Sequence, residues 1–221
     1  MSSAPFSRHP VQIKICGLTR ADDAVAAIEC GTAMLGLNFH PPSPRFVSVE
    51  QARQIARAVE GHAPLVGIFV NIDLLTLRQI IREVPLDAVQ LCGTLPFTDT
   101  SELGASGRLI RALPADSVID EKQLAGFHAL LIDTPTPQHG GSGETFTWNS
   151  VNWPALRAAL PQTQLFLAGG LNAANVGAAI AAAHPDVVDV CSGVEQTKGI
   201  KSLHKMREFA AAVRAAEGQP Q

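Results

Sequence analysis

The sequence predicts a single-domain α/β protein folded as a (β/α)8 TIM barrel. Three observations point there. Eight short apolar runs alternate with amphipathic stretches along the whole chain. Such alternation implies parallel pairing, because each crossover needs a helix's worth of residues. The chain has 221 residues, which suits eight compact units. An open doubly wound sheet is the competing closure. No G-x-G-x-x-G follows the first strand, which weakens a dinucleotide-binding version of it.

The elements follow in order. Candidate strands span 11–16, 34–39, 65–70, 88–92, 108–113, 129–133, 164–168 and 187–191. Candidate helices span 20–31, 49–61, 73–84, 151–160, 173–183 and 201–216. Segments 98–103 and 121–126 are short, with weak helical patterns. Asp73 can cap the third helix, and Asn172 is expected to do the same for the alanine-rich fifth. Gly31 and Gly61 lie just past periodic runs, where a left-handed residue is wanted. Pro85, Pro161 and Pro185 block continuation of the helices before them. Residues 11–216 form the barrel domain, and 1–10 and 217–221 are expected to be loose.

Composition excludes several classes. Hydrophobic residues make up 46% and charged residues 17%, as expected of a soluble protein with a sizeable core. The formal net charge is -3, so no basic field invites nucleic acid. No apolar run approaches the length of a membrane span. The first ten residues hold no apolar signal core, which points to the cytoplasm. The cysteines are Cys16, Cys30, Cys92 and Cys191. None lies in a C-x-x-C pair, so no metal is expected, and free thiols are. Cys30 reads as a small buried hydrophobe.

In a barrel the chemistry gathers where the strands end. The first strand ends on Cys16, in Ile13-Lys14-Ile15-Cys16-Gly17-Leu18-Thr19-Arg20. The sixth ends on Asp133, in Leu130-Leu131-Ile132-Asp133-Thr134. A partly ionised thiol serves as base or nucleophile. A carboxyl with a raised pKa serves as acid. Together they suit a proton-transfer isomerisation. Gly169-Gly170 after the seventh strand and Ser192-Gly193 after the eighth make two turns whose N–H groups can cradle phosphate. Gln90 lies in the fourth strand. Arg45 sits in Pro41-Pro42-Ser43-Pro44-Arg45-Phe46, where a rigid guanidinium suits a planar carboxylate. The glycine-rich stretch 139–144 is a candidate mobile cover.

These residues resemble the phosphoribosylanthranilate isomerase family of tryptophan biosynthesis. The likeness runs through Lys14-Ile15-Cys16-Gly17-Leu18-Thr19, Ser43-Pro44-Arg45, Phe69-Val70-Asn71, Val89-Gln90-Leu91 and Leu131-Ile132-Asp133. It continues through Gly140-Gly141-Ser142-Gly143, Leu167-Ala168-Gly169-Gly170-Leu171 and Ser192-Gly193-Val194-Glu195. The resemblance implies an Amadori rearrangement of a phosphoribosyl substrate with no metal and no organic cofactor. It implies Asp133 as general acid, Cys16 as general base and Arg45 as the partner of the anthranilate carboxylate. Gln90 and Asp189 would contact substrate. Gly169, Gly170, Ser192 and Gly193 would hold its phosphate. A monomer or homodimer is expected, with neither nucleic-acid nor membrane partners. Cys92 departs from the family's usual His, Ser202 from a common Asp, and Cys191 from a common Ser.

Strand parity adds an expectation. Lys14 shares a face with Cys16, and Asp189 shares one with Cys191. The first and eighth strands are neighbours in a closed barrel. Lys14 and Asp189 are therefore expected to pair inside it, with Lys14 favouring the Cys16 thiolate. The same parity puts Cys191 near Cys16. Two other functions stay open on these residues: another phosphosugar isomerase or epimerase on this scaffold, or a catalytically silent phosphate-binding protein.

Overall fold

Eight parallel strands close on themselves. A computed structural model describes residues 10–95, 100–103, 108–119, 124–134 and 148–218. The strands are β1 (Gln12–Ile15), β2 (Met34–Asn38), β3 (Leu65–Val70), β4 (Ala88–Cys92), β5 (Arg108–Pro114), β6 (Ala129–Asp133), β7 (Gln164–Leu167) and β8 (Val187–Val190). Each pairs with the next, and β1 pairs with β8, so the sheet has no free edge. The open-sheet alternative is thereby excluded. Cys16, Phe39, Ala168 and Cys191 fall one residue beyond the strands expected to contain them, and Pro114 extends β5.

The helices are α1 (Ala21–Glu29), α2 (Val49–Ala58), α3 (Leu74–Glu83), α4 (Trp153–Ala159), α5 (Val176–Ala183) and α6 (Leu203–Glu217). Asp73 caps α3 as expected, accepting from the Thr76 N–H at 2.9 Å. Ser48 and Gln51 add a reciprocal capping box to α2. Asn172 does not cap α5. Residues 172–175 first close a turn, with the Val176 N–H donating to the Asn172 carbonyl, and α5 starts at Val176 after Asn175. Of segment 98–103, only 100–103 are described, as a 3-10 turn at Thr100–Leu103. Of the weak helix expected at 121–126, only 124–126 are described, as a turn. Residues 1–9, 219–221 and the loop 135–147 lie outside the described residues. The last helix runs through Glu217, whose carboxylate accepts from the Val11 N–H.

Two apolar layers hold this together. The larger lies between the sheet and the helices, around Ile15, Leu37, Phe69, Leu130 and Phe209. The smaller fills the barrel itself, with Val66, Ile68, Ile110, Leu131, Phe166 and Val187. Strand side chains alternate between the two, which is why each strand is apolar on both faces. Lys14 is 0% exposed within this interior, so it must have a partner. A short antiparallel hairpin, β9 (Glu195–Thr197) and β10 (Ile200–Lys201), follows β8. It was not expected from the sequence.

Phe166 is 1% exposed at the centre of the inner layer. Phe166→Ala is expected to destabilise the fold by about 3–5 kcal/mol, measured by urea denaturation.

Candidate active site

A cavity of about 770 Å³ opens at the C-terminal ends of the strands. Cys16, Arg45, Gln90, Asp133, Asp189 and Ser192 all line it, as do Gly169 and Gly170. Gly193 does not. It sits behind the rim, where an added Cβ would lie 1.9 Å from the Leu171 carbonyl oxygen. Its lack of a side chain lets the β8 loop rest on the β7 loop.

The β1–β8 register explains the first group. Lys14 pairs with Asp189 and Ile15 with Val190. Lys14 Nζ donates to Asp189 Oδ2 at 2.8 Å, as the parity argument expected. Burial would push the Lys14 pKa down, but the Asp189 charge and hydrogen bond outweigh it and hold the ammonium above its ordinary value. Burial raises Asp189, and Lys14 draws it back. Asp189 Oδ1 has no protein partner among the described residues, so an acceptor stands free on the cavity wall.

One step further along, the Cys16 and Cys191 thiols are neighbours that shift one another. Lys14 pulls Cys16 down, as expected, but the neighbouring Cys191 thiol and burial outweigh it, and Cys16 is pushed well above the usual thiol range. Cys191 moves the other way, to about 7. The neighbouring Cys16 thiol contributes most, then Lys201 and Arg45, against burial and the Glu195 charge. Lys201 Nζ lies 3.8 Å from Cys191 Sγ. The pair therefore ionises first at Cys191, with the remaining proton on Cys16.

Arg45 is buried although it sits in a proline-rich loop. Its side chain is 7% exposed, and Nε and Nη2 grip Glu195 at 2.8 and 2.7 Å. Lys201 Nζ reaches the same carboxylate at 3.1 Å. Burial works against the Glu195 charge, but Arg45 and Lys201 outweigh it and hold the carboxyl below its usual range. Ser43 Oγ braces the loop by accepting from the Arg45 N–H and from Asn38 Nδ2, both at 3.2 Å. Sequence reasoning gave Glu195 only a place in a motif, and gave Lys201 only a helix start. A Lys-Gly turn between two short polar runs was the available hairpin signal.

Asp133 stands at the end of β6. Burial raises its pKa from an ordinary 3.8 to about 6, against the Thr134 N–H, which donates to Oδ1 at 2.7 Å. Gln90 points its Nε2 at Cys92 Sγ, 3.8 Å away, and leaves Oε1 buried without a partner among the described residues. Cys92, where the family shows His, is a neutral thiol pushed by burial to about 11. Arg111 also lines the cavity, unforeseen. Its guanidinium donates to the Leu91 and Gly93 carbonyls at 3.1 and 2.7 Å. Asn175 secures the β7 loop, donating to the Gly170 carbonyl at 3.0 Å.

A carboxyl with a pKa near 6 and two thiols line one cavity, groups suited to acid–base chemistry. A family model described as N-(5'phosphoribosyl)anthranilate (PRA) isomerase matches residues 13–212. The chain belongs to the phosphoribosylanthranilate isomerase family. A relative of that name from Pseudomonas putida is 42% identical over 209 residues, covering 93% of this chain and 98% of its own. Another from Ralstonia pickettii is 36% identical, covering 95% of each. The crystal structure of phosphoribosyl anthranilate isomerase from Thermotoga maritima superposes with a TM-score of 0.79 at 34% identity, over 93% of this chain and 99% of that one. A further isomerase of this family is known in complex with reduced 1-(o-carboxyphenylamino)-1-deoxyribulose 5-phosphate. It shares 30% identity, with a TM-score of 0.73 over 93% of this chain and 99% of that one.

The Asp133 shift has a consequence for stability. A carboxyl that binds its proton more tightly when folded opposes folding once ionised. That opposition grows as pH rises from about 4 through about 6 and then stays constant. Asp133→Asn is expected to stabilise the protein by about 1–3 kcal/mol at pH 8 and by almost nothing at pH 4. Urea denaturation at the two pH values measures it.

Proposed function

We propose that the chain catalyses the Amadori rearrangement of N-(5-phospho-β-D-ribosyl)anthranilate to 1-(2-carboxyphenylamino)-1-deoxy-D-ribulose 5-phosphate, in tryptophan biosynthesis. The observation that carries this is the cavity itself. It sets a carboxyl with a pKa near 6 and a thiol pair around one space, in a chain of this family.

Asp133 is the general acid. Burial lifts its pKa to about 6, so a fraction carries the proton near neutral pH, and that form protonates the furanose ring oxygen. The C1–O bond breaks, and the nitrogen lone pair forms a Schiff base at C1. Cys16 is the general base. Passing its own proton to Cys191 leaves a thiolate beside the Lys14 charge, with the counter-proton held on the neighbouring sulfur. That thiolate takes the proton from C2. The electron pair moves toward nitrogen, and the resulting enolamine tautomerises to the ketone.

The remaining roles concern binding. Arg45 faces the cavity with its plane fixed by Glu195, ready to meet the anthranilate carboxylate. Gln90 Oε1 and Asp189 Oδ1, buried acceptors without protein partners among the described residues, suit sugar hydroxyls or the anilino N–H. Gly169, Gly170 and Ser192 would cradle the phosphate, with Gly193 holding the two loops together. The protein would act in the cytoplasm, as a monomer or homodimer. The second point has support in a Thermotoga maritima relative described as dimeric, from which monomers were generated.

Growth rescue of a tryptophan auxotroph lacking this step tests the reading. The chain is expected to restore growth, and failure despite good expression would overturn the proposal. In steady-state assays, Cys16→Ala and Asp133→Asn are each expected to lower kcat about 10²–10⁴-fold. The kcat/KM profile should be bell-shaped, with limbs set near pH 6 by Asp133 and near 7 by the thiol pair. Arg45→Lys loses the planar fork and is expected to raise KM about tenfold, with less effect on kcat.

A further inference from the structure

We propose that Cys16 and Cys191 form a reversible disulfide-modification site for hydrogen peroxide. Four observations lead there. The β1–β8 ladder runs Lys14↔Asp189, Ile15↔Val190, and the Cys16 N–H donates to the Val190 carbonyl at 2.9 Å. The next residues of the two chains therefore lie side by side. Neighbouring strands lie about 4.7–4.9 Å apart, inside the Cα range a disulfide spans. Cys191 Sγ lies only 3.0 Å from where a Cβ on Gly17, the residue after Cys16, would stand, so this sulfur leans toward the β1 end. Both residues line the open cavity, so a small oxidant can reach them.

The fourth observation is charge. Lys201 Nζ lies 3.8 Å from Cys191 Sγ, and the Arg45 charge also favours its thiolate, outweighing the Glu195 carboxylate 3.9 Å from the same sulfur. A thiolate in cationic surroundings beside a second thiol has the two parts a reversible oxidation needs, an attacking sulfur and a resolving one. The other cysteines lack them. Cys92 is buried in the barrel as a neutral thiol, and Cys30 is buried at the end of α1.

The chemistry balances with peroxide as the oxidant. The Cys191 thiolate attacks one peroxide oxygen, and the O–O bond breaks. Hydroxide leaves and takes up a proton, giving water and a sulfenic acid on Cys191. Cys16 then attacks the Cys191 sulfur. The S–S bond forms, the S–O bond breaks, and the departing oxygen takes the Cys16 proton as a second water. Two electrons pass from the sulfurs to the peroxide. A dithiol returns them by exchange. If Cys16 is the base of the rearrangement, as proposed above, the disulfide removes it from use.

The test uses the full, reduced chain. It is exposed to hydrogen peroxide, blocked with iodoacetamide and mapped by mass spectrometry, with isomerase activity followed in parallel. The expected result is a crosslink between the peptides carrying Cys16 and Cys191, two hydrogens lighter than their sum. Dithiothreitol should abolish it and return activity together. Cys92→Ala should retain the crosslink, and Cys191→Ser should lack it. Free, alkylatable Cys16 and Cys191 after peroxide would overturn the proposal, as would a crosslink to Cys30 or Cys92 instead. Mapping reads the bond whether or not the chain is active. A Cys16–Cys191 crosslink with activity intact would uphold the modification site and overturn Cys16 as the base.

Discussion

Lys14 donates to Asp189 at 2.8 Å in the middle of the barrel, where the first strand meets the last. Lys14 is fully buried and Asp189 nearly so, and each charge answers the other. The pair also enforces register. A slip of one residue between β1 and β8 would turn Lys14 outward among the leucines and valines of the larger core, with no carboxylate to meet. The correct register leaves Cys16 beside Cys191 one step above. Both the acid–base reading and the oxidation site depend on that adjacency.

The cavity has two electrostatic poles. On one, Asp133 is surrounded closely enough to resist ionisation, and its only described partner on the protein is the Thr134 N–H. On the other, a single carboxylate, Glu195, holds Arg45 and Lys201 together. Lys201 in turn touches Cys191 through both its carbonyl and its sulfur. The hairpin β9–β10 exists to make this connection, since it carries Glu195 at one end and Lys201 at the other. Arg45 is thereby fixed before any substrate arrives, which lowers the ordering loss on binding.

Most of the fold was legible because its signals are local. Leu65–Val70, Ala88–Cys92 and Ala129–Asp133 were bounded to the residue, since apolar runs stop abruptly at polar or turn residues. The start of α5 was not legible. Asn172 and Asn175 both suit a cap, and only the Asn175 bonds to the Asn172 N–H and the Gly170 carbonyl decide that a turn comes first. Parity found Lys14–Asp189 because both lie in regular strands. Nothing in the sequence joins Arg45, in an irregular loop, to Glu195, at the start of a three-residue strand 150 positions away. The pull of Lys14 on Cys16 was visible by parity, whereas the weight of burial and of the neighbouring Cys191 thiol against it depends on three-dimensional contact.

The glycines read from the sequence as a phosphate cradle have a second duty that only packing reveals. At Gly169, with φ of +96°, an added Cβ would lie 2.2 Å from Thr134 Oγ1 and 3.2 Å from Asp133 Oδ1. The β7 loop is thus the wall against which the β6 carboxyl rests. Gly193 brings the β8 loop down on the Leu171 carbonyl behind it. A side chain at either place would push the loops outward and let water reach Asp133, and its pKa would fall back toward that of an ordinary carboxylate. The same two turns that suit an anion therefore also hold the Asp133 pKa up. In this barrel the shape of the two glycine turns and the acidity of Asp133 are set by one piece of backbone packing.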